Sequence, residues 1–190
     1  MATELNEDED FNNIDYSGQQ LAKHEFANCT FTNCNFTQAN IAGADFMDCS
    51  FTNCNFSLAI IDGTRIKDIQ FRHCKLMGLD FSKCDNFLFA ASFENCQMDY
   101  CSFFQKKLKN TRFVDCSLKD TDFAEADLTM AVFKNCDLLN ASFIRSNLEK
   151  TDFRLASNYS FDPELNRIKK AKFSYDGLAG LLAKYDIVIE

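Results

Sequence analysis

Residues 29–58 read CTFTN CNFTQ ANIAG ADFMD CSFTN CNFSL, which are six consecutive groups of five residues with one shared pattern. The first residue of each group is Cys or Ala, and the third is Phe or Ile. No regular element keeps every fifth residue on one face, because five steps rotate a helix by about 500° and reverse the face of a strand. A chain that turns by a right angle in every group would keep all third residues facing inward. The five-residue period therefore predicts a solenoid.

The same period continues on both sides of this stretch, in two blocks that differ in phase by two residues. The central residues run from Phe11 to Phe81 in the first block and from Leu88 to Phe153 in the second. The segment 82–87 is therefore expected to contain a two-residue insertion. In one column, central residues four groups apart are all Phe, which predicts a coil with four sides and about seven turns. They are Phe11, Phe31, Phe51, Phe71, Phe93, Phe113, Phe133 and Phe153.

The repeated order of Ala or Cys, then Asp, Asn, Ser or Thr, then Leu or Phe, then two variable residues resembles the pentapeptide-repeat family. The fold of that family is a right-handed quadrilateral β-helix, so the resemblance implies an all-β solenoid. We expect the insertion to form a bulge within 82–87. The expected segments are an acidic N-terminal arm at 1–10, the β-helix at 11–153, and a C-terminal cap and dimerisation segment at 154–190.

Composition restricts the remaining possibilities. All ten Cys fall on the first residue of a group, so we expect them to be reduced and packed in the core. There is no C-x-x-C pair and there are only two His, so neither a metal nor another cofactor is expected. The N-terminus lacks a signal-peptide pattern and no apolar run approaches about eighteen residues. A cytoplasmic protein without a membrane span is therefore expected.

The C-terminal segment departs from the repeat. Ser174 is a candidate N-cap for a helix at 175–185, and residues 187–189 are a candidate closing strand. The run FDPELNRI at 161–168, followed by this helix and a final IVIE, resembles the C-termini of the Qnr quinolone-resistance and McbG-type microcin-immunity proteins. In those relatives this end forms the dimer contact, which implies a homodimer. The expected interface residues are Leu178, Leu181, Leu182, Tyr185, Ile187 and Ile189.

The same resemblance implies a function. The resemblance implies a non-enzymatic protein that mimics DNA, binds DNA gyrase or the related topoisomerase IV, and protects the enzyme from a toxin or antibiotic. The net charge of −8 agrees with such a role, although residues 21–153 hold 17 acids against 14 bases. Acids on the fourth side are followed further along the chain by Lys106, Lys107 and Lys109. The acidic residues expected to contact the partner are Glu25, Asp45, Asp48 and Asp68.

A second interpretation, from another class, is a structural or scaffolding protein-interaction module with an unrelated partner. Phe87 and Phe89 flank the inward Leu88 and are expected to face outward, and Phe104 is outward on the third side. In that case these aromatic residues would contact the partner protein. No catalytic or phosphate-binding motif is present, so we do not expect an enzyme. The aromatic residues are otherwise assigned to the core, so direct binding of nucleic acid is not expected.

Overall fold

In the computed structural model, which describes residues 5–87 and 89–188, the chain forms a parallel β-solenoid with a short helix near its C-terminus. The strands are β1 (Leu5–Glu7), β2 (Asp10–Asn12), β3 (Glu25–Ala27), β4 (Thr30–Thr32), β5 (Asp45–Met47), β6 (Ser50–Thr52), β7 (Arg65–Lys67), β8 (Ile69–Arg72), β9 (Ala91–Glu94), β10 (Arg112–Val114), β11 (Val132–Asp137) and β12 (Asp152–Ser157). The helix α1 spans Ala179–Leu182, and 3-10 turns span Phe81–Lys83, Pro163–Leu165, Asp176–Leu178 and Ala183–Tyr185.

All strand pairs are parallel and join residues one turn apart. Eight strands form one sheet in the order β12-β11-β10-β9-β8-β6-β4-β2, and four form another in the order β1-β3-β5-β7. Phe31 pairs with Phe51, and Phe71 pairs with Phe93 across the insertion. The predicted right-handed quadrilateral β-helix is confirmed, with about eight turns instead of seven. We number the sides by their central residues: Phe31 and Phe51 on side 1, Phe36 and Phe56 on side 2, Ile41 and Ile61 on side 3, and Phe46 and Ile66 on side 4.

The four-sided shape depends on the last residue of each group, which we call the corner residue. Corner residues adopt left-handed backbone conformations in almost every group, for example Asn33 with φ 55° and Gly43 with φ 68°. A single left-handed residue turns the chain at each corner, and Gly, Asn and Asp adopt this conformation with least strain. The abundance of Asn and Asp at the corners therefore has a backbone explanation.

Central residues stack in columns along the axis. The rings of Phe31 and Phe51 lie 4.7 Å apart at an interplanar angle of 13°, and those of Phe113 and Phe133 lie 5.0 Å apart at 4°. Neighbouring columns meet edge to face, as Phe51 does with Phe56 at 5.1 Å. Both arrangements are favourable for aromatic quadrupoles. The core is thus a continuous ladder of rings that runs along the described turns.

First residues of the groups fill the space behind the central residues and satisfy backbone carbonyls. All ten Cys are buried and free, as predicted. The Sγ of Cys54 donates to the Phe31 carbonyl at 3.4 Å. Hydroxyl side chains do the same elsewhere, since Thr121 Oγ1 donates to the Met98 carbonyl at 3.0 Å and Ser146 Oγ to the Phe123 carbonyl at 2.7 Å. Cys here is therefore a small apolar residue with a weak donor.

The solenoid extends further than predicted at both ends. The proposed acidic arm at 1–10 is wrong for its described part, because β1 pairs with β3 and β2 pairs with β4. The repeat also continues beyond Phe153, since residues 152 and 172 form a bridge and Phe173 stacks on Phe153 at 5.5 Å. Polar central residues such as Asn6 hide the period at the first turn.

The insertion lies at the end of the predicted segment 82–87 and just beyond it. The regular ladder still holds at Asp85, whose N–H donates to the Thr64 carbonyl at 3.0 Å. It resumes at Ala90, whose carbonyl accepts from the Ile69 N–H at 3.0 Å. The extra residues thus fall within 86–89, where Leu88, predicted to face inward, lies outside the described residues. We call residues 86–89 the bulge.

Candidate functional site: the outer faces and the C-terminal end

The predicted acidic contact residues lie on or beside side 4, in the N-terminal half of the solenoid. Glu25, Asp48 and Asp68 are exposed and form no ion pair with another described residue. Asp45 differs, because its Oδ2 lies 2.6 Å from Arg65 Nη1 on the next turn. Asp48 and Asp68 are corner residues with φ 55° and 54°, so their identity partly reflects the backbone. Three of the four predicted carboxylates are therefore free to meet a cationic partner.

Elsewhere, acidic and basic side chains pair between adjacent turns. Arg145 Nη2 lies 2.5 Å from Glu125 Oε1, and Lys119 Nζ lies 3.2 Å from Asp137 Oδ2. Hydrogen bonds from Gln105 and Arg145 hold the pKa of Glu125 below its ordinary value. Exposed pairs of this kind contribute little to stability. Their main effect is to reduce the number of carboxylates on the outer faces that are available to a cationic partner.

Lys106 is fully buried, so its treatment as an outward charge was wrong. Its Nζ donates to the backbone carbonyls of Cys84 at 2.6 Å and Asp85 at 3.4 Å. It also lies 4.8 Å from the ring centroid of Phe89. Burial lowers the pKa of Lys106 below its ordinary value of 10.5. The Lys106 side chain therefore occupies a first position that Cys or Ala fills in many other groups.

The two aromatic residues of the bulge have different environments. Phe87 is 72% exposed, as predicted, and its N–H donates to Asp85 Oδ1 at 2.8 Å. Phe89 was expected to face outward, but it is half-buried and its ring lies 6.2 Å from that of Phe81. The reason is that Phe89 covers both the core and the Lys106 ammonium. Phe104 is exposed on side 3, as predicted.

The C-terminal helical segment packs on Tyr159 through two glycines. A Cβ on Gly180 would lie 1.9 Å from the Tyr159 carbonyl oxygen, and one on Gly177 would lie 1.8 Å from the Tyr159 hydroxyl. Only glycine permits this close approach. This explains why the segment contains two glycines despite their low helix propensity. The predicted cap is confirmed, since Ser174 Oγ accepts from the Gly177 N–H at 3.2 Å. Lys184 Nζ lies 2.8 Å from Asp162 and fastens the other end of the segment.

The residues predicted at a dimer interface do not share one environment. Leu181 is buried against its own solenoid and cannot also meet a partner. Leu178, Leu182, Tyr185 and Ile187 are exposed. The predicted closing strand is wrong for Ile187 and Val188, which form no strand, and Ile189 lies outside the described residues. Asp186 ends the helical segment with a left-handed backbone conformation, at φ 49°.

Sequence reasoning missed a group of exposed apolar residues at the corner between sides 2 and 3. Leu58 and Tyr100 are corner residues there, and Ile60 and Met77 lie beside them. The sequence could have indicated this surface, because a large apolar residue at the fifth position of a group does not pack in the core. Such a residue also does not favour the left-handed backbone of that position.

Sites of other kinds are not seen in the described part of the chain. Residues 5–87 and 89–188 contain no group of three or more His, Cys, Asp or Glu that could hold a metal ion. Within the same ranges, no helix combines the length and hydropathy that a membrane span requires. The outer faces, the bulge and the C-terminal end are therefore the candidate sites.

Comparison with known proteins agrees with this geometry. The family described as pentapeptide repeat region matches residues 24–86 and 86–158. A search of curated protein sequences finds no match. Among solved structures, full-length QnrB1, a plasmid-mediated fluoroquinolone resistance protein, is 18% identical with a TM-score of 0.43, over 96% of this chain and 100% of that chain. HetL, involved in heterocyst differentiation regulation in the cyanobacterium Nostoc, is 14% identical with a TM-score of 0.41, over 92% and 88%. A protein of the Arabidopsis thaliana thylakoid lumen is 24% identical with a TM-score of 0.32, over 63% and 68%.

Proposed function

Because the chain belongs to the pentapeptide-repeat family, we propose that it is a non-enzymatic binding protein whose partner is DNA gyrase or topoisomerase IV. In this role a homodimer occupies the DNA-binding surface of the enzyme as a DNA mimic and protects it from a toxin or antibiotic. The C-terminal run at 161–168 and the helical segment after it support this role, because they resemble the C-termini of the Qnr and McbG-type proteins. That segment is docked on Tyr159 with its exposed apolar side chains available for a second copy.

The observation that carries this proposal is the row of unpaired carboxylates near side 4. Asp48 and Asp68 occupy the same corner in successive turns, about 4.8 Å apart, and Glu25 lies on side 4 of the turn before them. Exposed negative charges in a row attract a surface that has evolved to hold phosphates. The row is short, because Asn28 occupies the same corner one turn earlier and Asp45 is paired. We therefore place the contact with the enzyme on the N-terminal four turns.

The test is binding to purified gyrase subunits, followed by DNA supercoiling with and without a fluoroquinolone. The variant Asp48→Asn/Asp68→Asn removes two charges while keeping a residue that favours the corner conformation. Asp115→Asn/Asp120→Asn is the matched control, because it makes the same charge change at corners of other edges. We expect the first variant alone to weaken binding by about tenfold, and wild-type binding to weaken with added salt. Binding that is absent, or equal in both variants, would refute the assignment.

A second candidate function is a scaffolding module with an unrelated protein partner, and the exposure of Phe87 and Phe104 favours it. An aromatic side chain that projects from a rigid bulge is a typical interface anchor. The two candidates differ in salt dependence, since an apolar contact weakens little as ionic strength rises. Loss of gyrase binding in Phe87→Ala, with wild-type binding insensitive to salt, would favour this second function.

A further inference from the structure

The corner between sides 4 and 1 changes its charge along the rod. Asp48 and Asp68 occupy it in the N-terminal half, and Lys150 and Lys170 occupy it in the C-terminal half. All four side chains are exposed, and none of them forms an ion pair with another described residue. Equivalent corners lie about 4.8 Å apart along the axis. One edge of the solenoid therefore carries two unpaired acids towards one end and two unpaired bases towards the other.

These acids and bases are placed symmetrically about Asn110, which occupies the same corner near the middle of the rod. Asp68 lies two turns before Asn110, and Lys150 lies two turns after it. Asp48 and Lys170 each lie three turns away, in opposite directions. The pattern is self-complementary, because a second copy in the reverse orientation presents a base to each acid. Charge complementarity therefore identifies the partner as another copy of this chain in antiparallel orientation.

Exposed apolar residues on the same edge lie near its centre. Met130 occupies the corner one turn after Asn110 and is 45% exposed. The bulge lies on side 4 one turn before Asn110, and Phe87 projects from it. In an antiparallel pair, Met130 of one copy comes close to the bulge of the other. Protein interfaces commonly have an apolar centre and a polar rim, and this edge has the same arrangement.

Charges beside the corner agree with the same alignment. Lys67 lies next to Asp68 on side 4, and Glu149 lies next to Lys150 on the same side. An antiparallel partner brings the positions of Lys67 and Glu149 together. The lysine that interrupts the acidic row would therefore meet a carboxylate of the second copy.

Two like-charge contacts on side 4 oppose this alignment. Lys107 is level with the two-fold axis, so it faces its own copy. Asp85 and Asp127 lie one turn before and one turn after it and face each other, but each is already paired within its own chain. Arg65 lies 4.0 Å from Asp85, and Lys109 lies 3.6 Å from Asp127. Attractive contacts are therefore more numerous, but each of them is exposed and weak.

We propose that this edge pairs two copies of the chain side by side, in antiparallel orientation. The contact joins Asp68 to Lys150 and Asp48 to Lys170 of the other copy, twice each by symmetry. It is weaker than the C-terminal contact and uses different residues, because exposed ion pairs contribute little and are screened by salt. Pairing covers the carboxylates assigned to gyrase, so self-association and the enzyme compete for them. Only this consequence rests on the proposed function.

The test is zero-length carbodiimide cross-linking of the intact protein, followed by mass spectrometry of its peptides, in the absence of gyrase. Asp68 and Lys150 lie four turns apart in one chain, or about 19 Å, so a direct bond between them must join two copies. The C-terminal contact cannot produce this bond, because Asp68 is far from that end of the rod. We expect the bond at an ionic strength of about 0.01 M, with a yield about tenfold lower at about 0.15 M.

An exchange of charges provides a stricter comparison. Asp48→Lys/Asp68→Lys alone should not pair, and neither should Lys150→Asp/Lys170→Asp alone, because like charges then face each other. An equimolar mixture of the two variants should pair again, with bonds between the introduced lysines and the introduced aspartates. Left-handed Asp and Lys both occur at this corner, so the backbone should accept either residue.

Asp115→Lys/Asp120→Lys is the matched control, because it makes the same charge change at corners of other edges and should pair like wild type. Circular dichroism verifies that each variant is folded. An absence of the Asp68–Lys150 bond in wild type at low salt would overturn the inference, as would a mixture of folded variants that fails to pair. An equal loss of pairing in the control would assign the effect to net charge and would overturn it as well.

Discussion

Central phenylalanines stack on their equivalents above and below, so each one supports two turns at once. Phe51 is buried and contacts Phe31 at 4.7 Å and Phe71 at 5.2 Å. We expect Phe51→Ala to lower the free energy of unfolding by about 3–5 kcal/mol, through lost burial and the cavity left behind. Thr52→Ala, on the outer face, should change it by less than about 0.5 kcal/mol. Urea denaturation gives both values, and equal effects would contradict the column assignment.

Thiol reactivity provides a second test of the packing of the core. Burial raises the pKa of the Cys49, Cys84 and Cys101 thiols to about 12, so these groups stay protonated in neutral and mildly alkaline solution. Only the thiolate reacts readily, and the side chains are also inaccessible. A chromogenic disulfide reagent at pH 8 should therefore label few cysteines in the native protein and all ten after unfolding. Rapid labelling of most cysteines in the native state would show that they are not core residues.

The sequence predicts central and first positions well because each position has one physical requirement, namely a large apolar or a small side chain. Lys106 was misplaced because its role depends on an insertion in the preceding turn, which no local pattern describes. Its position still carried a signal, since it stands first in the group KKLKN, where other groups have small residues. Phe89 was misplaced for the same reason, because counting from Leu88 assumed a regular turn.

The bulge behaves as one element whose geometry depends on Lys106. In Lys106→Met the stem is kept, but the carbonyls of Cys84 and Asp85 lose their buried donor. We expect the free energy of unfolding to fall by about 1–3 kcal/mol. The cost of leaving two buried carbonyls without a donor exceeds the gain from removing a desolvated ammonium. Amide hydrogen exchange should accelerate at residues 84–92 and change little elsewhere. Lys107→Met changes a residue outside this contact and is the control; an unchanged exchange pattern in Lys106→Met would refute the role.

The same lysine predicts a dependence on pH. Its pKa is lower in the folded protein than the ordinary value of 10.5 expected after unfolding. Between these two values the unfolded chain binds more protons, so stability contributed by this residue rises with pH. The difference in unfolding free energy between wild type and Lys106→Met should therefore increase as pH approaches 10.5. Urea titrations at several alkaline pH values measure it, and a difference that falls with pH would contradict the burial.

Element boundaries were harder to predict than the repeat itself. The first turn has Asn6 at a central position, and the last turn replaces two regular sides with the aromatic residues Tyr159 and Phe161 and a 3-10 turn at Pro163–Leu165. End turns have a neighbour on one side only, so their central residues need not be large and apolar. The period is lost from the sequence there even though the backbone continues it.

For the whole molecule, the distribution of side chains over the four sides matters more than the net charge. Asp48 and Asp68 lie at the corner after side 4, and exposed apolar corner residues lie between sides 2 and 3. Composition alone could not predict this arrangement, because outward positions tolerate many residue types and only their neighbours across turns decide which charges are paired.

Dimerisation through the C-terminal end would connect the fold with the proposed function. Leu178, Leu182, Tyr185 and Ile187 leave an apolar surface at one end of the rod, and a two-fold contact would bury it without building filaments. We expect a dimer in light scattering at micromolar concentration. Leu178→Glu/Leu182→Glu should give a folded monomer, with a circular dichroism spectrum like that of wild type.

Two control variants distinguish loss of the dimer interface from loss of the fold. Leu139→Glu places a charge at an exposed leucine on side 2 and should remain dimeric. Leu181→Glu buries a charge against the solenoid, so it should lower thermal stability instead of only dissociating the dimer. Deleting 174–190 should also give a monomer, but it uncovers Tyr159, so the point variants decide. A monomeric wild-type protein would remove the interface, and with it the two-fold symmetry that suits a rod to a two-fold topoisomerase.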